Sequence, residues 1–287
     1  MFLATLVGGI SLGFLYGLIA LTLILLVRTT GVLNFAAADV GMLCAFVTYV
    51  AITRFHLPVS LAVGATMVFA IALGAIIYCG IVLVRPAEPL MLSLRTLGLF
   101  ILLRAVAYRL WGADSPYTFP SIVPPGGIDL FGLNVSYIQL CIIAYAILVA
   151  LSIGWLTGGT RIGLMLRAVS ADREAAAELG IPVLRVDLLA WCLATLIAGI
   201  VGILVAQLSF LAPDMMAPIL LAGFAAAQLG DMQSMRIALL AGVALGIIQA
   251  VSSVYLNQPE WSQVLSFAVL AGGLLIRGQV RRRLVVT

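Results

Sequence analysis

Long apolar runs, broken at intervals by short polar clusters, fill most of the chain. A helix needs about 20 predominantly apolar residues to cross a bilayer. By that ruler the pattern predicts spanning helices near 4–27, 31–52, 59–84, 91–111, 137–157, 187–211, 236–255 and 262–277. A further apolar piece, 216–229, is bracketed by Pro213, Pro218 and Gly230 and is short for a straight crossing. A tilted, broken or re-entrant helix buried in protein would fit it. The first run is too long, and too weakly charged at its start, for a cleaved signal peptide, so it is expected to remain as a membrane helix. The fold class expected is all-α: a polytopic transmembrane bundle of about eight to nine segments forming one domain over 1–287.

Small residues are spaced for close helix approach. Gly9, Gly13 and Gly17 recur every four residues, as do Ala238, Gly242, Gly246 and Ala250. Such stripes let helix backbones approach each other in lipid, either inside one subunit or across a subunit interface. Residues 112–136, rich in proline and glycine, form the longest external loop expected. Within it "IDLFGLNV" suggests a hairpin. The loop is either a passive lid or a docking surface for an outside partner. No strong internal repeat is evident.

Composition sharpens the class. Hydrophobic residues make up 64% of the 287 and charged residues only 9%, against roughly 25% charged in soluble domains. Mean hydropathy is +1.23. The 15 basic residues are all arginine, so a P-loop ATPase, which needs a lysine at the phosphates, is excluded. The net charge of +4 does not indicate nucleic acid, because the arginines sit at the ends of apolar runs. Placing Arg28, Arg85, Arg161, Arg167, Arg173, Arg185, Arg236, Arg277 and Arg281 to Arg283 inside leaves little beyond Arg54 and Arg109 outside. That asymmetry predicts a cytoplasmic C-terminus and, with nine crossings, an external N-terminus. Cys44, Cys79, Cys141 and Cys192 are isolated in apolar runs and read as packed thiols, not disulfide or metal ligands.

Against this background the stretch "RAVSADREAAAELGIPVLRVD" is unusual, with seven ionisable residues in twenty-one positions. It lies in the longest cytoplasmic loop expected, 158–186. Ser170 or Asp172 can cap a helix start, and Asp172 and Glu174 suit its first turn. Gly180 is a natural stop, and Pro182 prevents continuation. A helix of about two turns is predicted on the inner membrane face. So short a helix is marginal alone, so it reads as a solvated linker or as a plug for a cytosolic protein.

"EAAAELG", Glu174 to Gly180, resembles the EAA-x3-G loop of bacterial ABC importer permeases. In that family the loop forms a coupling helix seated in a groove of the ATPase. "GLIALTLILLVRTTGVLNFAAADVGML", "RIGLMLRAVSADREAAAELGIPVLRV" and "FAAAQLGDMQSMRIALLAGVALGIIQA" resemble, in order, the N-terminal, coupling and C-terminal regions of the branched-chain amino acid importer permeases. By length and order the chain is closer to the shorter permease of the usual pair. The resemblance implies ATPase coupling through Asp172, Arg173, Glu174, Ala175, Ala176 and Gly180, and no cofactor. It implies a second homologous permease, two cytosolic ATP-binding subunits and an external solute-binding protein as partners, in a bacterial inner membrane. One departure bears on substrate: after Asn34-Phe35-Ala36 the family commonly has His-Gly-Glu, whereas this chain has Ala37-Ala38-Asp39.

Asn34, Phe35 and Asp39 are the translocation-path candidates. On a continuous second helix from about residue 31, Asp39 would lie roughly 12 Å along the axis, in the cytoplasmic half. A carboxylate there must face other helices or a wet cavity. Either it lines the path or holds a gate, or it caps a helix break or pairs with an arginine. If the helix unwinds between Gly31 and Ala38, Asn34 and Asp39 could converge. Arg104 is a conceivable partner but is expected nearer the outer half. Asp39 and Arg104 also motivate an alternative, an ion-coupled secondary transporter, which has no use for a coupling helix. An intramembrane enzyme has little support, since the only histidine, His56, falls in an outer loop. Importers of urea, short amides or aromatic carboxylates are further alternatives.

Overall fold

The computed structural model describes residues 2–255 except 85–87, 113–115 and 131–132, together with 264, 268 and 272. The span expected at 262–277 and the basic C-terminus lie outside the described residues. The helices are α1 (Phe2–Thr30), α2 (Ala37–Thr53), α3 (Val59–Ile77, continued by a π-helical turn Tyr78–Leu83), α4 (Pro89–Trp111), α5 (Tyr137–Gly159), α6 (Arg161–Ala171), α7 (Arg173–Glu178), α8 (Val183–Leu208), α9 (Ala217–Leu229) and α10 (Met235–Tyr255). Six are long and apolar enough to cross a membrane, and α2 and α9 are shorter apolar helices. This is the polytopic helical bundle that the hydrophobic pattern predicts.

The centre of the bundle is α1, buried against α8, α9, α10 and α5. Its glycine stripe is used inside the chain. A Cβ on Gly13 would stand 2.5 Å from the Val243 Cα and 2.7 Å from the Gly242 carbonyl oxygen, and one on Gly9 would meet Ile247 and Ala250 at 2.9 Å. The backbones of α1 and α10 therefore touch, antiparallel, along Gly9, Gly13 and Gly17 against Gly242 and Gly246. A second close crossing, α2 on α8, rests on Gly41, whose added Cβ would lie 2.6 Å from the Ala198 carbonyl oxygen. Removing a side chain at such points lets dispersion and weak Cα–H contacts accumulate where lipid offers no hydrophobic drive. By contrast α3, α4 and α5 turn apolar side chains outward, among them Val68, Ile76, Ile101, Leu102, Leu148 and Trp155.

The two ends differ. At one, which carries Arg28, Arg167, Arg173 and Arg236, α6 and α7 lie beside the ends of α1 and α8. At the other, β1 (Gly127–Leu130) and β2 (Leu133–Ser136) pair antiparallel, Ile128 opposite Val135, which is the hairpin expected from "IDLFGLNV". The described residues of 112–136 are tied down there. Tyr117 exchanges backbone hydrogen bonds with Leu211 (3.0 and 2.9 Å), and Gln207 Nε2 donates to the Val123 carbonyl (3.3 Å). Phe46 stacks on Trp111 at 4.4 Å between ring centroids.

Two expectations need correction. The loop 158–186 is mostly helical, since α5 runs to Gly159 and the eleven-residue α6 precedes the short capped helix. Leu166 and Val169 of α6 are buried at helical spacing, so an amphipathic helix lay within "RIGLMLRAVS". The second membrane helix begins not at 31 but at Ala37, after a break.

Candidate functional site

The break between α1 and α2 organises the site. Gly31 has φ +70°, a left-handed conformation that costs glycine little, and the chain is then non-helical through Asn34. Non-helical backbone at membrane depth is tolerated only where protein satisfies its polar groups. Here α4 does so. The Leu33 amide donates to Ser93 Oγ (2.9 Å) and the Phe35 amide to Thr96 Oγ1 (3.1 Å). Thr96 Oγ1 donates back to the Leu33 carbonyl (2.9 Å). Asn34 Oδ1 accepts from the Ala36 amide at 3.0 Å, and the Phe35 ring lies 6.4 Å from that of Phe224 on α9.

The break also resets depth. An extended residue advances about 3.3 Å and a helical one 1.5 Å. Alongside α4 the chain climbs from Ser93, beside Leu33, to Arg104, whose Nε donates to Asp39 Oδ1 at 3.2 Å. Those α4 positions are about 16 Å apart along the helix. Asp39 is thus in the first turn of α2, level with Arg104. A continuous helix would have kept them apart, which is why the sequence expectation put them in different halves. The conditional unwinding from Gly31 is present, and so is the buried pair with an arginine.

Asp39 is fully buried and the Arg104 side chain 23% exposed. Arg104 also lies over the Phe100 ring, 4.4 Å from its centroid. The site is incompletely satisfied: Asp39 Oδ2, Arg104 Nη2 and Asn34 Nδ2 are buried without a hydrogen-bond partner. The ion pair therefore keeps one unspent acceptor and one unspent donor, and Asn34 in the broken segment keeps another donor, where each unmet buried group costs roughly 1–3 kcal/mol.

A second cluster lies at the basic end. Asp172 caps α7, its Oδ1 accepting from the Glu174 and Ala175 amides at 3.0 Å. The helix ends in a Schellman arrangement: the Gly180 amide bonds the Ala177 carbonyl and the Ile181 amide the Ala176 carbonyl, both 3.0 Å, with Gly180 at φ +79°. Ala176 packs inward, while Glu174 and Ala175 face out. Arg173 reaches back into the chain. It donates to the Thr29 carbonyl (2.9 Å) and makes a two-pronged ion pair with the buried carboxylate of Asp187, at the start of α8. Two residues at this cluster escaped the sequence reading. Asp187 was legible only as the last charge of the stretch ending "VLRVD". Leu179, 80% exposed at the end of α7, is a large apolar side chain among charges, a signal that was available. His56 sits in the turn after α2. The four cysteines are free, and no group of residues suited to a metal ion occurs among the described residues.

A broken connection between apolar helices, a buried ion pair and a capped helix on a basic face are features of polytopic membrane proteins that move solutes. The sequence from 5 to 273 matches the family described as branched-chain amino acid transport system / permease component, and the chain belongs to that family. It is 28% identical to the high-affinity branched-chain amino acid transport system permease protein LivH of Escherichia coli, over 96% of this chain and 93% of the relative. It is 25% identical to the corresponding protein BraD of Pseudomonas aeruginosa, over 96% and 94%. Among solved structures, PsaBC from Streptococcus pneumoniae in complex with Fab aligns over 95% of this chain and 88% of that one, with 17% identity and a TM-score of 0.49.

Proposed function

We propose that the chain is one permease subunit of an ABC importer for branched-chain amino acids. It would work beside a second homologous permease, two cytosolic ATP-binding subunits and an external solute-binding protein, in a bacterial inner membrane with the basic end and the C-terminus cytoplasmic. The family match over residues 5–273 carries this reading. The broken segment Gly31–Asn34 and its ion pair give it a mechanism.

ATP-driven closure of the partner subunits would move α7 through Asp172, Glu174, Ala175 and Leu179. Arg173 passes that displacement to Asp187 on α8 and to the Thr29 carbonyl, two residues before the Gly31 hinge. The hinge leads directly to Asn34, Phe35 and Asp39. A change at the coupling helix thus biases the α2–α4 contact at Asp39 and Arg104 between two arrangements, which is all that transport requires of a differential ligand. Arg173 and Asp187 act here as positioning residues. The test is ATP-dependent uptake of labelled leucine into vesicles carrying the full complex. Uptake that persists without the ATP-binding subunits would overturn the reading in favour of ion-coupled transport.

A further inference from the structure

At the basic end, a cavity of about 550 Å³ opens between α1, α5, α6 and α10. Its rim carries three arginines from three different helices: Arg28, Arg167 and Arg236. Arg28 makes one long hydrogen bond, 3.5 Å to the Gln233 carbonyl. Among the described residues, Arg167 and Arg236 have no ion pair or hydrogen bond, and no acidic side chain lines the cavity. Away from the rim the walls are apolar, with Leu21, Ile153 and Leu239, and the floor is open at Gly154, where an added Cβ would meet nothing within 4 Å.

We infer that this cavity is a binding site for an anionic phospholipid, its phosphate held by Arg28, Arg167 and Arg236 and an acyl chain lying along α5 over Gly154. Three guanidiniums lining one cavity without a carboxylate call for an anion, because like charges repel unless neutralised. Guanidinium matches phosphate oxygens in pairs. The apolar wall continues the site toward the exposed faces of α5 and α10, so the anion must bring a hydrocarbon tail. Basic pockets between membrane helices on the cytoplasmic side take such headgroups. The site rests on the orientation proposed above, in which the Arg28 end is cytoplasmic. Because Arg167 belongs to α6, bound lipid ties the coupling region to α1 and α10.

The test measures binding and not transport, so it fails independently of the proposed function. The detergent-purified full complex is titrated with phosphatidylglycerol and, separately, phosphatidylcholine, and retained lipid is counted by native mass spectrometry. Wild-type protein is expected to retain phosphatidylglycerol selectively. The variant R28Q/R167Q/R236Q is expected to bind it about 100-fold more weakly, at roughly fivefold per arginine. Its lysine counterpart, R28K/R167K/R236K, recovers most of the affinity and controls for folding. Gly154→Phe keeps every arginine but fills the acyl path, and it too is expected to lose the lipid. Equal retention of the two lipids, or unchanged binding in the glutamine variant, overturns the proposal. Displacement by millimolar inorganic phosphate, with Gly154→Phe still binding normally, would identify a free anion site instead and overturn it as well.

Discussion

Asp39→Leu should destabilise the complex, and Asp39→Leu combined with Arg104→Leu should restore its stability without restoring transport. Breaking a buried ion pair by removing one partner costs about 3–5 kcal/mol, because the other charge stays buried and unpaired. Arg104 is cushioned: it is 23% exposed, so its charge can regain some water when Asp39 is lost. The expected loss for Asp39→Leu is therefore about 2–3 kcal/mol. Asp39→Asn keeps an acceptor for Arg104 Nε and should cost about half as much, while still cutting uptake strongly. Removing both charges leaves two apolar side chains, often neutral or better for stability. The double-mutant cycle should then give a coupling energy equal to the sum of the two single losses, about 5–8 kcal/mol, since Arg104→Leu leaves the fully buried Asp39 alone. Stability is read by denaturant titration of the purified complex in mixed micelles, and function by ATP-dependent leucine uptake. Additive single effects would refute the coupling. Wild-type uptake in the double variant would show that the pair is only structural.

At the coupling node, Arg173→Ala leaves the Asp187 carboxylate buried and alone. Uptake should fall at least tenfold, while ATP hydrolysis falls less, since the face of α7 presented outward is unchanged; parallel loss of both activities would contradict this. Glu174→Arg and Leu179→Asp change that outward face and should uncouple hydrolysis from uptake without affecting membrane insertion, and full stimulated activity in both would end the docking assignment. Bulky residues at Ala175 test the same face, whereas at Ala176 they disrupt inward packing and should lower stability instead. Gly13→Val should part α1 from α10 by about 1 Å, since its Cβ would stand 2.5 Å from the Val243 Cα, and cost about 1–3 kcal/mol; a complex with unchanged unfolding midpoint would refute the contact.

Hydropathy alone determined that the chain is a helical membrane bundle. Runs of about 20 apolar residues have only one low-energy state in lipid, where every backbone group must bond within its own segment. Local chemistry determined the capped helix as well: Asp172 at its start and Gly180 at its end act over three or four residues and need no tertiary information. The "EAAAELG" resemblance placed the chain in a permease family before any fold was known. Tertiary structure decided the rest, and each case depends on a distant partner. Gly31–Asn34 reads as part of an apolar run, because the hydroxyls that make its unwinding affordable, Ser93 and Thr96, lie some sixty residues away on α4. With that break raised only as a condition, Asp39 and Arg104 were assigned different depths. The glycine stripe was legible in the sequence as a packing surface, but its occupant was not, since a stripe of small residues fits any helix; only the fold sets α10 against it. The resemblance set Arg173 among the coupling residues, and only the fold pairs its side chain with the buried carboxylate of Asp187, a two-pronged partner that solvent would have to replace.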